Sequence, residues 1–327
     1  MQVGKIGIKD LKDKVLNNIT HHRQDVLLPA EVGEDSSVIN FGKEVLVISS
    51  DPITGASEDI GYLAVNIACN DIAATGAQPV GIQVVILFPE EYSETKFKKL
   101  MREIDETAVE LGAEVLGGHT EVLSSINYPI IVVTAVGRCK KDNFIKTGGA
   151  KAGDDIIVTK GLGIEGTFIL ANEYKEKLIK KGISQDILSK ALSYKNKLSV
   201  LREGLIAAKN DVHAMHDITE GGLYGALDEM SRAAEVGFEI NNIDKAISET
   251  TKLICESFSL NPAALISSGS MLITASPEQK IIEILKEEGI KAYKIGCIKE
   301  KGRYQKKAGK KVKFSWSGED ELWRFME

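Results

Sequence analysis

The sequence predicts a two-domain protein of the α/β (α+β) class, and three observations carry that expectation. The chain has 327 residues, more than a single hydrophobic core usually serves. Strand-like and helix-like stretches alternate through both halves, as they do where helices are layered on sheets. Residues 140–153 are rich in glycine and lysine and divide the halves, which sets an N-terminal domain over 1–147 and a C-terminal domain over 148–327.

Each element follows from its local pattern. Val45, Leu46, Val47 and Ile48 make a largely β-branched run that ends at Asp51-Pro52, a strand exit. Residues 60–75 show helical spacing, with Ile60, Leu63, Ala64, Ile67, Asp71 and Ala74 on one face. Gly76 stops that helix and Pro79 keeps it from resuming; residues 80–88 return to strand. Phe97, Leu100, Met101, Ile104, Ala108 and Leu111 mark an amphipathic helix ended by Gly112, and a strand over 130–136 closes the half. In the second half Asp154-Asp155 lead into a strand at 156–158. Helices are expected at 165–181, 185–209 and 221–234, and strands at 271–275 and 293–298 flank a further helix at 277–288. The basic stretch 299–313 contains glycines and reads as a solvated hairpin or loop whose charge keeps a sheet edge soluble.

Composition narrows function by exclusion. A net charge of −6 argues against a nucleic-acid binder, which normally carries a basic face. No apolar run approaches the roughly 20 residues of a membrane helix, and residues 1–10 lack the apolar core and cleavage site of a signal peptide, so a cytoplasmic protein is expected. Cys69, Cys139, Cys255 and Cys297 are far apart, form no C-x-x-C pair and stand in apolar surroundings, which reads as packing rather than metal ligation or disulfide formation.

Five islands of acidic and glycine residues remain: 33–37 (GEDSS), 49–52 (SSDP), 70–79 (NDIAATGAQP), 117–121 (GGHTE) and 216–222 (HDITEGG). Carboxylates at element ends beside glycines suit Mg²⁺ and polyphosphate better than a packed core. Asp71 has the strongest physical argument, because it continues the apolar face of Leu63 and Ile67. An ionised carboxylate buried there needs a cation or several donors; capping of local amides is the alternative. Asp35 and Asp51 read singly as a turn former and a strand end, yet with Asp71 they can hold two metal ions. Gly117-Gly118 allow close backbone approach; His119 reads as a metal ligand, a proton carrier or a surface imidazole, with Glu121 as the other charged member. Gly161-Leu162-Gly163-Ile164-Glu165-Gly166 matches G-x-G-x-x-G, but helix rather than strand follows, so the dinucleotide reading fails on context. Asp217 or Thr219 can cap the helix that Gly221-Gly222 open, whose free amides form an anion site; His216 is an acid–base group or part of that capping loop.

The order of islands resembles the ATP-binding superfamily of AIR synthetase, thiamine-monophosphate kinase, selenophosphate synthetase and the hydrogenase-maturation protein HypE. HypE is the nearest in 50–51 (SD), 59–65 (DIGYLAV), 70–77 (NDIAATGA), 217–223 (DITEGGL) and 267–273 (SSGSMLI), and the likeness spans nearly the whole chain. It implies an N-terminal domain that dimerises through its sheet, a C-terminal α/β domain with a mixed sheet, and ATP in the cleft between them. It also implies Mg²⁺ held by Asp35, Asp51 and Asp71, and γ-phosphate used on an oxygen acceptor. The candidate catalytic residues are therefore Asp71 and His119. Asn70, Gly117, Gly118, Thr120, Asp217, Thr219, Gly221 and Gly222 are the candidate ATP-binding residues, and Glu121 joins the three aspartates as a metal ligand. Two departures stand out. The family usually has Asp or Glu where His119 stands, and the chain ends in 321–327 (ELWRFME) where HypE has a Pro-Arg-Ile-Cys-like tail. The acceptor is therefore expected to be a small molecule or a group on another protein. A non-catalytic nucleotide-binding accessory and a thiamine-monophosphate kinase-like enzyme are the alternatives.

Overall fold

The computed structural model describes residues 7–53, 59–307 and 309–326. After a helical turn, α1 (Ile8–Asp10), the first half builds β1 (Val26–Leu28), β2 (Ser37–Phe41), β3 (Glu44–Ile53), α2 (Ile60–Ala74), β4 (Gln78–Pro89), α3 (Glu94–Glu110), β5 (Glu114–Leu123) and β6 (Ile130–Lys140). Its six strands form one sheet in the order β1-β2-β3-β6-β4-β5. Only β4 and β5 run parallel, because α3 carries the chain back across the sheet between them. Alternation in β3 and β6 turns Val45, Val47, Ile131, Val133 and Ala135 toward α2 and α3, where the first core forms.

The second half contributes β7 (Asp155–Thr159), α4 (Ile164–Glu173), α5 (Lys175–Lys180), α6 (Gln185–Leu192), α7 (Leu201–Ala208), β8 (Ala214–Ile218), α8 (Gly222–Ala233), β9 (Gly237–Ile240), α9 (Glu249–Phe258), β10 (Ser270–Ala275), α10 (Ile281–Glu287), β11 (Ala292–Lys299), β12 (Arg303–Lys307), β13 (Lys310–Lys313) and α11 (Glu321–Met326). The seven-stranded sheet is mixed, in the order β13-β12-β9-β11-β7-β10-β8, with β12 parallel to β9. Strands β7, β8 and β10 are covered on both faces, by α8 on one side and by α7 and α10 on the other, so they read as continuous apolar runs. The C-terminal end of α2, through Ala73 and Ala74, packs into the core under this second sheet and ties the halves together.

Several expectations are corrected. Strand β3 continues through Asp51-Pro52 to Ile53, because β6 pairs with it throughout while β2 ends opposite Ile48, leaving a single-partnered stretch that tolerates proline. Helix α2 is buried on nearly every side rather than on one face. The expected helix at 165–181 breaks at Tyr174, and that at 185–209 opens at 198–200, where Asn70 takes its backbone groups. Lys280, at φ +51°, separates a short turn from α10. Helix α9 and strands β1, β2, β8 and β9 lay outside the sequence reading. The basic stretch does form the hairpin β12–β13 at the sheet edge.

Candidate functional site

A cleft of about 2450 Å³ lies between the two halves, lined on one side by 33–37, 48–53 and α2, and on the other by α4, α8 and the C-terminal segment. Asp35 enters it from the loop before β2. Gly33 there has φ +85°, and a Cβ would stand 2.9 Å from the carbonyl oxygen of Glu229, so glycine lets this loop reach α8. The next residue, Glu34, accepts hydrogen bonds from the amides of Thr147 (3.0 Å) and Gly148 (2.9 Å), and its burial raises its pKa.

Asp51 comes from β3, Asp71 from α2 and Asp217 from β8; with Asp35 they line the same cleft. Ser49 Oγ lies against both Asp71 and Asp51, 3.3 Å from the latter. Burial first, and then the charges of Asp51, Asp217 and Asp35, push the Asp71 pKa well above the ordinary carboxylate range. Gathered carboxylates of this kind repel one another until a cation compensates them.

One cation is built in. His216, on β8, stands between Asp35 and Glu229, with Nδ1 2.5 Å from Asp35 Oδ1 and Nε2 3.0 Å from Glu229 Oε2. Burial alone would lower its pKa; the two carboxylates outweigh that and hold it well above the usual imidazole range. Candidate ligand atoms of Asp35, His216 and Asp217 lie within 4.8 Å of one another. The pair Glu229–His216 thus anchors a carboxylate of the first half to the second half.

The structure distributes the sequence candidates unevenly. Asp35, Asp51, Asp71, Asp217, Thr219 and Gly221 line the cleft. Asn70 does not: its Nδ2 donates to Leu198 O (2.8 Å) and its Oδ1 accepts from Val200 N (2.9 Å), so the amide is spent on joining α2 to the second half. Gly222 lies behind the cleft, its amide bonded to Thr219 O. The Gly221 amide, expected to face phosphate, donates to Asp320 Oδ2 at 2.5 Å, so the chain's own carboxylate caps α8. Gly117, Gly118, His119, Thr120 and Glu121 are not a turn but part of edge strand β5, exposed and outside this cleft; His119 Nε2 lies 3.4 Å from Glu121 Oε2. The sequence reading left His216 open and did not assign Glu229, Glu34 or Ser49. His216 and Glu229 are 13 residues apart, on a strand and the helix that follows it, and no local spacing joins them.

Residues 33–139 match the profile of the AIR synthase related protein N-terminal domain, and residues 151–308 match that of the C-terminal domain. The chain belongs to the AIR synthase-related family. Among its relatives is a Methanocaldococcus jannaschii protein proposed as a hydrogenase expression/formation protein, 29% identical over 87% of this chain and 84% of its own length. A selenide, water dikinase from the same organism is 28% identical over 86% and 85%. Two solved structures share the fold. E. coli HypE has a TM-score of 0.74 at 21% identity, covering 86% of this chain and 88% of its own. ThiL complexed with AMPPCP and TMP has a TM-score of 0.74 at 20% identity, covering 95% and 96%.

Proposed function

We propose that this chain is an ATP- and Mg²⁺-dependent enzyme that, as HypE does by resemblance, uses the γ-phosphate of ATP on an oxygen acceptor. One observation carries the reading: Asp35, Asp51, Asp71 and Asp217, delivered by four separate elements, meet in one cleft and act on one another. A HypE complexed with ATP and the ThiL complex with AMPPCP share the fold and support the choice of nucleotide. The residues fit Mg²⁺, since they are hard oxygen donors whose mutual repulsion calls for a divalent cation. Asp35, Asp51, Asp71 and Asp217 would hold it, and His216, engaged by Asp35 and Glu229, acts as a fixed counter-charge.

Bound Mg²⁺ supplies charge neutralisation at the phosphates. The chain supplies position. Ser49 orients Asp71 and Asp51, while Thr147 Oγ1 (3.5 Å) and His216 orient Asp35. In this reading the domain over 1–147 brings three of the aspartates and the domain over 148–327 brings Asp217. The homodimer that the resemblance implies would pair two chains along edge strand β5, where Leu116 and Val122 are exposed. His119, Thr120 and Glu121, with Gly117 and Gly118, enter the chemistry only through such an assembly.

Phosphorus NMR of ATP with the protein, Mg²⁺ and candidate acceptors tests the proposal. Asp71→Asn should abolish Mg²⁺-dependent turnover with the fold intact; unchanged turnover overturns the assignment.

A further inference from the structure

The second-half wall of the cleft carries another set of acids that the aspartate cluster does not involve. Glu165, in the first turn of α4, is 4% exposed, and its Oε2 accepts from Ser268 N at 3.3 Å. Glu220, just before α8, lies close enough that its charge, after burial, helps hold both Glu165 and Asp320 above the ordinary carboxylate range. Among the described residues Glu165 makes no ion pair with a basic side chain. These acids are also too dispersed to ligate one ion; the group of described residues that gathers tightly enough is Asp35, His216 and Asp217.

Two further observations point to a ligand here. Ser268 lines the cleft at 1% exposure, and its Oγ, although beside Glu165, makes no hydrogen bond of proper geometry. Trp323 also lines the cleft, and its buried Nε1–H has no acceptor among the described residues, so it calls for an oxygen of the ligand rather than for its cationic nitrogen. Trp316 adds an aromatic face: its ring carbons would stand 2.6–2.8 Å from a Cβ on Gly221, so only glycine there lets the indole lie against the start of α8 beside Glu220. Of the basic side chains that line the cleft, Arg232 and Arg303 are both bound to Asp228, Lys9 pairs with Asp13, and Lys12 and Lys313 are exposed.

We propose that this wall is the acceptor subsite, and that it takes an acceptor bearing a cationic nitrogen of the amidine, guanidine or amine type against Glu165 and Trp316. The proposal rests on the nucleotide reading above for the word acceptor, and on the wall's own chemistry for the charge. Beside Glu165 and Asp320 the charge that acts is that of Glu220, so a carboxylate or phosphate group would meet acids there and find both arginines engaged. A cationic nitrogen meets Glu165, which has no basic partner among the described residues, and an indole face.

Benzamidine, benzamide and benzoate, which share a ring and differ in charge, test it by isothermal titration with the AMPPCP–Mg²⁺ complex and without it. The quenching of Trp316 and Trp323, the two tryptophans of the chain, gives a local readout. Benzamidine should bind at least about tenfold more tightly than benzamide, with benzoate weakest. Glu165→Gln should reduce the amidine preference about tenfold and leave AMPPCP–Mg²⁺ affinity within about twofold. Trp316→Leu, which leaves every carboxylate in place, should weaken benzamidine as well and serves if the Glu165 variant does not fold. A flat series, benzoate equal to or tighter than benzamidine, no binding of any probe, or an undiminished preference in both variants overturns the proposal. Failure of AMPPCP–Mg²⁺ to bind, with the amidine preference intact, instead overturns the nucleotide reading.

Discussion

Asp71 stands where a helix buried on nearly all sides would ordinarily carry a hydrophobe, and the cost of that placement is measurable. It is 8% exposed, and three other aspartates act on it. Removing its charge should therefore stabilise the chain when metal and nucleotide are withheld. Asp71→Asn is expected to raise Tm by a few degrees in EDTA, while the rise in Tm that wild type shows with Mg²⁺ and AMPPCP disappears. A lower Tm in EDTA would mean that the carboxylate is satisfied by the protein alone. His216 has the opposite role. His216→Leu leaves Asp35 and Glu229 facing each other across the halves without their cation, and urea unfolding should show a loss of about 3–5 kcal/mol, the usual cost of breaking a buried pair. The sequence exposed Asp71 because a carboxylate broke an apolar helical stripe. It left His216 ambiguous because its partners come from another domain and another element.

Among the elements, α8 carries the clearest pH signal. Asp320 caps it through the Gly221 amide and also accepts from Leu322 N at 2.8 Å, yet burial pushes its pKa up to about 7. A carboxyl raised from its unfolded value of 3.8 binds its proton more tightly in the folded state. Its stabilising contribution is thus complete at acid pH and declines as pH rises from about 4 through about 7. Wild type should lose stability relative to Asp320→Asn over that window. At roughly 1.4 kcal/mol per pKa unit the difference reaches a few kcal/mol. Parallel melting curves at pH 5 and pH 8 that keep a constant gap would refute it. Elsewhere, Asn70→Ala should cost about 2 kcal/mol by stranding Leu198 O and Val200 N, a structural effect at a residue that the islands had placed with the nucleotide. The same contact explains why the helix expected at 185–209 opens in the middle: a side chain distant in sequence supplies its hydrogen bonds.

At the scale of the whole molecule, the site exists only where two sheets and their helices come together. The first half has an open edge at β5, with Leu116 55% and Val122 52% exposed. If two chains pair there, Leu116→Lys should shift sedimentation toward monomer and lower turnover, because the island of His119 and Glu121 belongs to that strand; an unchanged dimer would place the contact elsewhere. The sequence by itself determined the two-domain α/β alternation, the helix at 60–75 with its stop at Gly76, the basic edge hairpin, and the expectation that Asp71 does chemistry. Those follow from periodicity, glycine and proline punctuation, and the cost of burying charge, all of them local. Only the tertiary structure decided that β3 runs past Asp51-Pro52, that Asn70 is a brace, that Asp320 fills the amide site of α8, that the fourth island lies on an exposed strand, and that His216 joins the halves. Each of these is set by pairing or contact between residues far apart in the chain, where local pattern carries no information.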